Sequence, residues 1–315
     1  MKGKVVIIAA IVLNATVFAY SYFQTRAIEV SGAWALYPMM VKWVEEFQKV
    51  HPKVRIDVSA GGAGKGMADA LSGLVDIGMV SRDISAEEIK KGAFWISVCK
   101  DAVVPTVNKD NPVLADLLSH GVKKSVFIDI WIYGNITTWG EVVGKPEVTN
   151  PIKLFTRSDA CGAAETWAKY MGCKQEDLGK FAVGVYGDPG LADAVKNNLL
   201  GMGYNNVNYA YDEKTKKPVE GITIIPLDLN GNGQVDENED FYGTKGELVN
   251  AIATGVYPSP PARNLNLVTK DAFTGETKEF VKWIFSDDGG QQYVEETGYI
   301  QLSQEKLNEE LEKLK

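Results

Sequence analysis

Apolar positions along this chain follow two alternating periods. Met40, Val44 and Phe47 share one face of a helix predicted over Met39–Val50, and Met67, Leu71 and Leu74 share one face of a shorter helix over Lys65–Leu74. Short β-rich runs separate such segments: Ile28–Ser31, Val54–Ser59, Asp76–Val80, Ala102–Asn108, Ile152–Thr156, Ile222–Leu227 and Leu265–Val268. Further helices are predicted over Ala163–Met171, Leu248–Thr254, Lys278–Phe285 and Gln304–Leu314, the last with Leu307, Leu311 and Leu314 aligned. Strands alternating with helices predict an α/β architecture with mainly parallel sheets.

Two stretches read as crossings between lobes, Val103–Asn111 and Tyr257–Leu267, the second held extended by Pro258, Pro260 and Pro261. Two crossings divide the chain into one lobe of residues 27–107 and 259–315 and another of residues 108–258. They also make a hinge, the usual device for closing a cleft.

Residues 1–26 have a different pattern. Lys2 and Lys4 precede an apolar run from Val5 to Phe23, which reads as a signal peptide or a membrane anchor. Its length is near the roughly 20 residues that span a bilayer. The remainder is therefore expected outside the cytoplasm. A net charge of −8 and a pI near 5.0 argue against a nucleic-acid partner but not against a small anion, which local dipoles can hold.

Three segments repeat one design of strand, small-residue loop and helix start: Ser31–Pro38, Gly61–Gly66 and Arg157–Ala163. Each presents free backbone N–H groups at the positive end of a helix. Their convergence would cage an oxyanion. Arg157 adds a planar fork for two oxygens, and Asp159 can hold that fork or accept a proton from a protonated ligand.

Residues 228–239 fit a calcium loop of twelve positions. Asp228, Asn230, Asn232, Gln234, Asp236 and Glu239 fall at the ligating positions, Gly233 at the sharp turn and Val235 at the apolar anchor. A structural calcium ion is expected there, within the second lobe.

Other signals lead nowhere. Gly62-Ala-Gly-Lys65 lacks the first glycine and the final hydroxyl of a phosphate-binding P-loop. Cys161 at a helix start has a nucleophile's setting, but His51 and His120 lie in ordinary contexts and form no catalytic or zinc constellation with the cysteines. Cys161 and Cys173 stand at opposite ends of one predicted helix, too far apart for a bridge, and Cys99 remains able to pair with either. Neither an enzyme nor an organic cofactor is indicated.

Taken together, Ser31–Val44, Ser59–Ile84 (with Val75-Asp-Ile-Gly78 and Ser81-Arg-Asp-Ile84), Val107–Pro112, Tyr133–Trp139, Thr156–Thr166, Tyr257–Lys270 and Gly298-Tyr-Ile300 resemble the phosphate-binding proteins of ABC importers, over about residues 27–302. The resemblance implies a two-lobed type II periplasmic-binding-protein fold with two hinge crossings. It also implies a monomer that captures phosphate or a similar tetrahedral oxyanion between the lobes and delivers it to a membrane permease. Carried over position by position, the family's site falls on Trp34, Ala35, Leu36, Ala63, Gly64, Ser81, Arg157, Asp159, Cys161, Gly162 and Ala163.

Arg157, Asp159 and Gly162 match the family's arginine, aspartate and glycine, and Ser81 keeps a hydroxyl. Cys161, Ala163 and Ala63 replace hydroxyl residues, as do Ala33, Trp34, Ala35 and Leu36 in the first loop. Each hydrogen bond lost to a charged ligand is worth roughly 1.5–3 kcal/mol. Backbone donors must therefore carry more of the binding. Molybdate, tungstate or an organic anion stays open as the ligand, and an anchored anion sensor without a transport role as the function.

Overall fold

The computed structural model describes residues 27–315. The expected signal peptide or anchor at residues 1–26 lies outside the described residues. Among the described residues no helix is long and apolar enough to cross a membrane.

Nine strands form one hydrogen-bonded sheet, eight of them along a single path. They are β1 (Ile28–Gly32), β2 (Ile56–Ala60), β3 (Ile77–Val80), β4 (Ala93–Asn108), β5 (Lys153–Arg157), β6 (Val183–Val185), β7 (Gly201–Asn206), β8 (Ile222–Ile224) and β9 (Ala262–Lys270). The order is β2-β1-β3-β9-β4-β7-β5-β6, with β8 also paired to β4. β4 is the member common to both halves. It pairs with β9 as far as Ala102↔Ala262 and with β7 from Val103↔Asn206 onward.

Two cores follow this division. The first contains Trp43, Phe47, Leu267, Phe280 and Ile284, and the second Phe127, Trp131, Trp139, Trp167 and Tyr204. Burying each such side chain stabilises by about 2–3 kcal/mol. The type II two-lobed arrangement expected from the sequence is present. The strand passes into the second sheet at Val103, ahead of the boundary expected after residue 107.

The sheets are not mainly parallel. β1 runs parallel to β2 and β3, and β5 to β6 and β7, but all contacts made by β4 and β9 are antiparallel. The cause is the two crossings, since strands that carry the chain out of one lobe and back into it run in opposite directions side by side.

Helix boundaries follow capping chemistry. The first long helix spans Tyr37–Val50, with Pro38 in its opening turn. The second spans Ala63–Ser72 and stops at Gly73, whose φ of 71° only glycine adopts without strain. The helix expected from Leu248 begins at Lys245, because Thr244 and Glu247 form a reciprocal capping box. β7, Gly-Met-Gly-Tyr-Asn-Asn, has no β-like pattern, yet all six residues are buried between β4 and β5.

Candidate functional site

The three loops meet where the lobes touch. Gly61 and Gly62 both donate their N–H to Gly32 O, at 2.9 and 3.0 Å, which joins the second loop to the first. Gly64 N donates to Ala160 O at 3.0 Å, which joins the second loop to the third across the cleft. Glycine makes these approaches possible. A Cβ on Gly62 would stand 2.8 Å from Asp159 Oδ2, and one on Gly162 only 2.1 Å from Ser81 O.

Arg157 ends β5 at the centre of this junction, with its side chain fully buried. Its Nε and Nη2 donate to the two oxygens of Asp159 at 2.7 and 2.5 Å, and its Nη1 donates to Asp188 Oδ2 at 2.5 Å. Three of five guanidinium N–H groups are thereby committed, leaving one on each terminal nitrogen. Burial opposes the charge, but the carboxylates of Asp188 and Asp159 overcome it and hold the pKa above the ordinary arginine value.

Asp188 is itself tied down by Asn206, whose backbone N and Nδ2 donate to it at 3.2 and 2.7 Å. Asp159 Oδ1 also accepts from Gly187 N at 3.2 Å. Asp159 Oδ2 accepts from Arg157 Nη2 and lies beside Gly62. A second buried pair lies behind, where Arg263 donates through Nη1 to Thr166 Oγ1 at 2.9 Å and stands 3.6 Å from Asp101.

Cys161 caps the helix Gly162–Met171, its sulfur accepting from Ala164 N at 3.4 Å. Burial pushes its thiol up to about 12, with Arg157 working the other way. Burial thus disfavours the thiolate, and the nucleophile setting lacks the lowered pKa it would need. All three cysteines are free, and Cys99 makes no disulfide. The first-turn N–H groups of Gly162 and Ala163 have no acceptor inside the helix and supply the dipole expected there. Gln175 braces the loop, donating to Asp159 O at 2.9 Å and accepting from Cys161 N at 3.3 Å.

Ser81 packs against Gly162, and Gly64 and Ala63 open the helix of the second loop. Two candidates in the first loop turn their side chains away from the junction. Ala35 and Leu36 lie in the first lobe's core, with Ala35 O accepting from Tyr299 OH at 2.7 Å, because the short 34–36 turn faces them inward. Trp34, in that same turn, instead reaches across to Gly187 in the second lobe.

Lys65 folds back onto Asp69 in a close ion pair and leaves the site. No local motif marks Asp188, Asn206 or Gln175 as part of the site. Asp188 lies in Gly187-Asp-Pro-Gly190, which has the pattern of an ordinary helix start, and only the fold brings it to Arg157.

The calcium-loop residues lie together in the second lobe. Asp228 accepts from Gly231 N and Gly233 N at 2.6 and 2.9 Å. Glu239 Oε1 accepts from Leu229 N and Asn230 N, both at 3.0 Å. Asn232 N and Gln234 N donate to the Oδ1 atoms of Asn230 and Asn232 at 2.9 and 2.8 Å, and both asparagine amides donate to Asp236 Oδ2. Val235 N docks the loop on Ser119 O at 2.9 Å. Among the described residues no three His, Cys, Asp or Glu side chains gather into a metal cluster.

A family model described as a PBP superfamily domain matches residues 22–288. The chain is 28% identical over 285 residues to the phosphate-binding protein PstS of Bacillus subtilis (strain 168), covering 89% of this chain and 82% of that one. It is 27% identical to the PstS of Pseudomonas aeruginosa (strain UCBPP-PA14), covering 86% of this chain and 81% of the relative. Its fold is similar to a putative phosphate ABC transporter substrate-binding protein with bound phosphate from Clostridium perfringens. That match has a TM-score of 0.71 at 22% identity, covering 88% of this chain and all of the other.

Proposed function

The chain belongs to the PBP superfamily, and from that membership we propose that it is the substrate-binding protein of an ABC importer, working outside the cytoplasm with inorganic phosphate as its ligand. The observation that carries the choice is the pairing of Arg157 with two carboxylates at the junction of the three loops. The cation attracts an oxyanion, while Asp159 Oδ2, beside it, retains a lone pair to accept a proton's hydrogen bond. A carboxylate beside an anion is tolerable only if the anion carries a proton to share. Phosphate and arsenate carry one at neutral pH, whereas sulfate, molybdate and tungstate do not.

The names of the PstS relatives support the same reading. The remaining donors are backbone N–H groups at helix starts, chiefly Gly162 and Ala163, in place of the missing hydroxyls. The run Val5–Phe23 is the export or anchoring segment that this location requires.

Calorimetric titration of the purified chain with phosphate, arsenate, sulfate, molybdate and tungstate tests this directly. Phosphate and arsenate are expected to bind and the others not. A preference for molybdate or tungstate would overturn the ligand, and no response to any of the five would overturn the transport role.

We propose too that residues 228–239 hold a structural calcium ion. The turn-forming bonds from Gly233 to Asp228, Asn232 to Asn230 and Gln234 to Asn232 orient one oxygen donor after another along the loop. The buried carboxylates of Asp228 and Glu239 would supply the charge.

A further inference from the structure

Trp34 Nε1 is a buried donor with no acceptor among the protein atoms. Trp131 and Trp167 share that condition deep inside the second core, but Trp34 has it at the cleft. A buried polar group without a partner is uncommon and needs a cause. We propose that the Trp34 indole N–H donates directly to the bound anion and so replaces a hydroxyl that the first loop lacks. The inference rests on the phosphate-binding reading above and assigns one of its donors.

The geometry brings one edge of the ring against Gly187, next to the residue that holds Arg157. A Cβ built on Gly187 would stand 3.3 Å from Trp34 Cε2 and Cζ2, and Cε2 is the ring carbon bonded to Nε1. Gly187, whose φ of 74° suits glycine, therefore leaves room for that edge. The N–H of Gly187 holds Asp159 Oδ1, and its neighbour Asp188 holds Arg157. The indole edge thus borders the Arg157 cluster from the opposite lobe. It is held there by Tyr209, whose hydroxyl donates to Trp34 O at 3.2 Å, and by the ring of Tyr186 meeting it edge-on at 6.2 Å.

The chemistry gives the residue a specific part in selection. An indole N–H donates and never accepts, so it favours an oxygen carrying charge over a P–OH. Asp159 accepts and cannot donate while ionised. The two together fix the protonated oxygen on the Asp159 side and a charged oxygen on the Trp34 side.

Trp34→Phe removes the N–H and keeps most of the ring. In calorimetry it is expected to raise the Kd for phosphate about ten- to a hundredfold. In the nitrogen-15 spectrum of the full chain, the one indole signal of seven that the variant lacks should move on adding phosphate. If the chain binds phosphate and the variant binds within about twofold, with no indole signal moving, the inference fails and the phosphate reading stands. If the unaltered chain binds no phosphate, both fail. Should the variant not fold, the unaltered chain decides: an indole signal that moves with phosphate supports the donor, and seven that stay still overturn it.

Discussion

Asp188 Oδ2 accepts from Arg157 Nη1 at 2.5 Å, although the two lie 31 positions apart, and neither side chain has any exposed surface. With Asp159, this makes two carboxylates to one guanidinium at the proposed anion site. Asp188 therefore opposes binding as well as positioning Arg157. Asp188→Asn keeps the shape and one of the two contacts with Asn206 while removing one negative charge. It is expected to cost about 1–3 kcal/mol of stability and to tighten phosphate binding by about tenfold at low salt. It should also admit sulfate. Calorimetry with both anions checks this, and weaker phosphate binding with sulfate still excluded would show that Asp188 acts through position alone.

Much of this site is legible in the sequence. Arg157, Asp159 and the glycine loops can be named from short runs of adjacent residues, because helix starts and tight turns have local signatures. Asp188 cannot. Its role depends on β7 carrying Asn206 beside it, and β7 has the composition of a loop. Trp34 is legible as a replacement but not as a cross-cleft contact, since the side chain's direction is set by the 34–36 turn. Ala35 and Leu36 share the loop but bury their side chains in the first lobe's core. The two-lobed fold is readable from periodicity and the prolines. The antiparallel pairing of β4 and β9 is not, because it follows from a return path that a single pattern of hydrophobic positions does not encode.

Cys161 caps its helix with a sulfur, a weak acceptor where serine would be a strong one. Cys161→Ser is expected to raise stability by about 0.5–1 kcal/mol, measured by denaturant unfolding. In the unaltered protein Cys161 should resist alkylation at pH 8, because burial holds its thiol near 12, and should react once the chain is unfolded. Rapid labelling of Cys161 in the folded protein would mean that the thiol is ionised and accessible after all.

Calcium removal gives a separate test for residues 228–239. With the ion at one hundred times its Kd, binding contributes about 2.7 kcal/mol. A chelator should lower the Tm by several degrees, and added calcium should restore it. Glu239→Gln should abolish the chelator's effect. Identical melting curves with chelator and with calcium would show that the loop is held by its own hydrogen bonds alone.

Asp101 gives the protein an acid-side signature. Burial raises its pKa to about 6, with Arg263 working against the rise and Asp188 adding to it. Its unfolded value is about 3.9. A carboxyl with the higher pKa in the folded state disfavours folding once ionised. Its penalty is absent below about pH 4, grows as pH rises toward 6, and is constant above. Asp101→Asn removes the titration. The stability of the unaltered protein minus that of the variant should therefore fall by on the order of 2–3 kcal/mol between pH 4 and pH 7. Denaturant unfolding at several pH values checks this, and a flat difference would place the ionisation of Asp101 at an ordinary pH.

β4 continues from Ala93 to Asn108 through both sheets, handing its hydrogen bonds from β9 to β7 between Ala102 and Val103. A strand resists stretching and yields to twisting. It therefore acts as a torsion bar, around which the two halves can turn but along which they cannot slide. Cutting the chain between the lobes would leave each fragment with part of a strand and an open ladder of backbone groups, the exposed edge that promotes aggregation. The two halves are mechanically distinct yet have no separate existence as folded bodies, and they should melt in a single step.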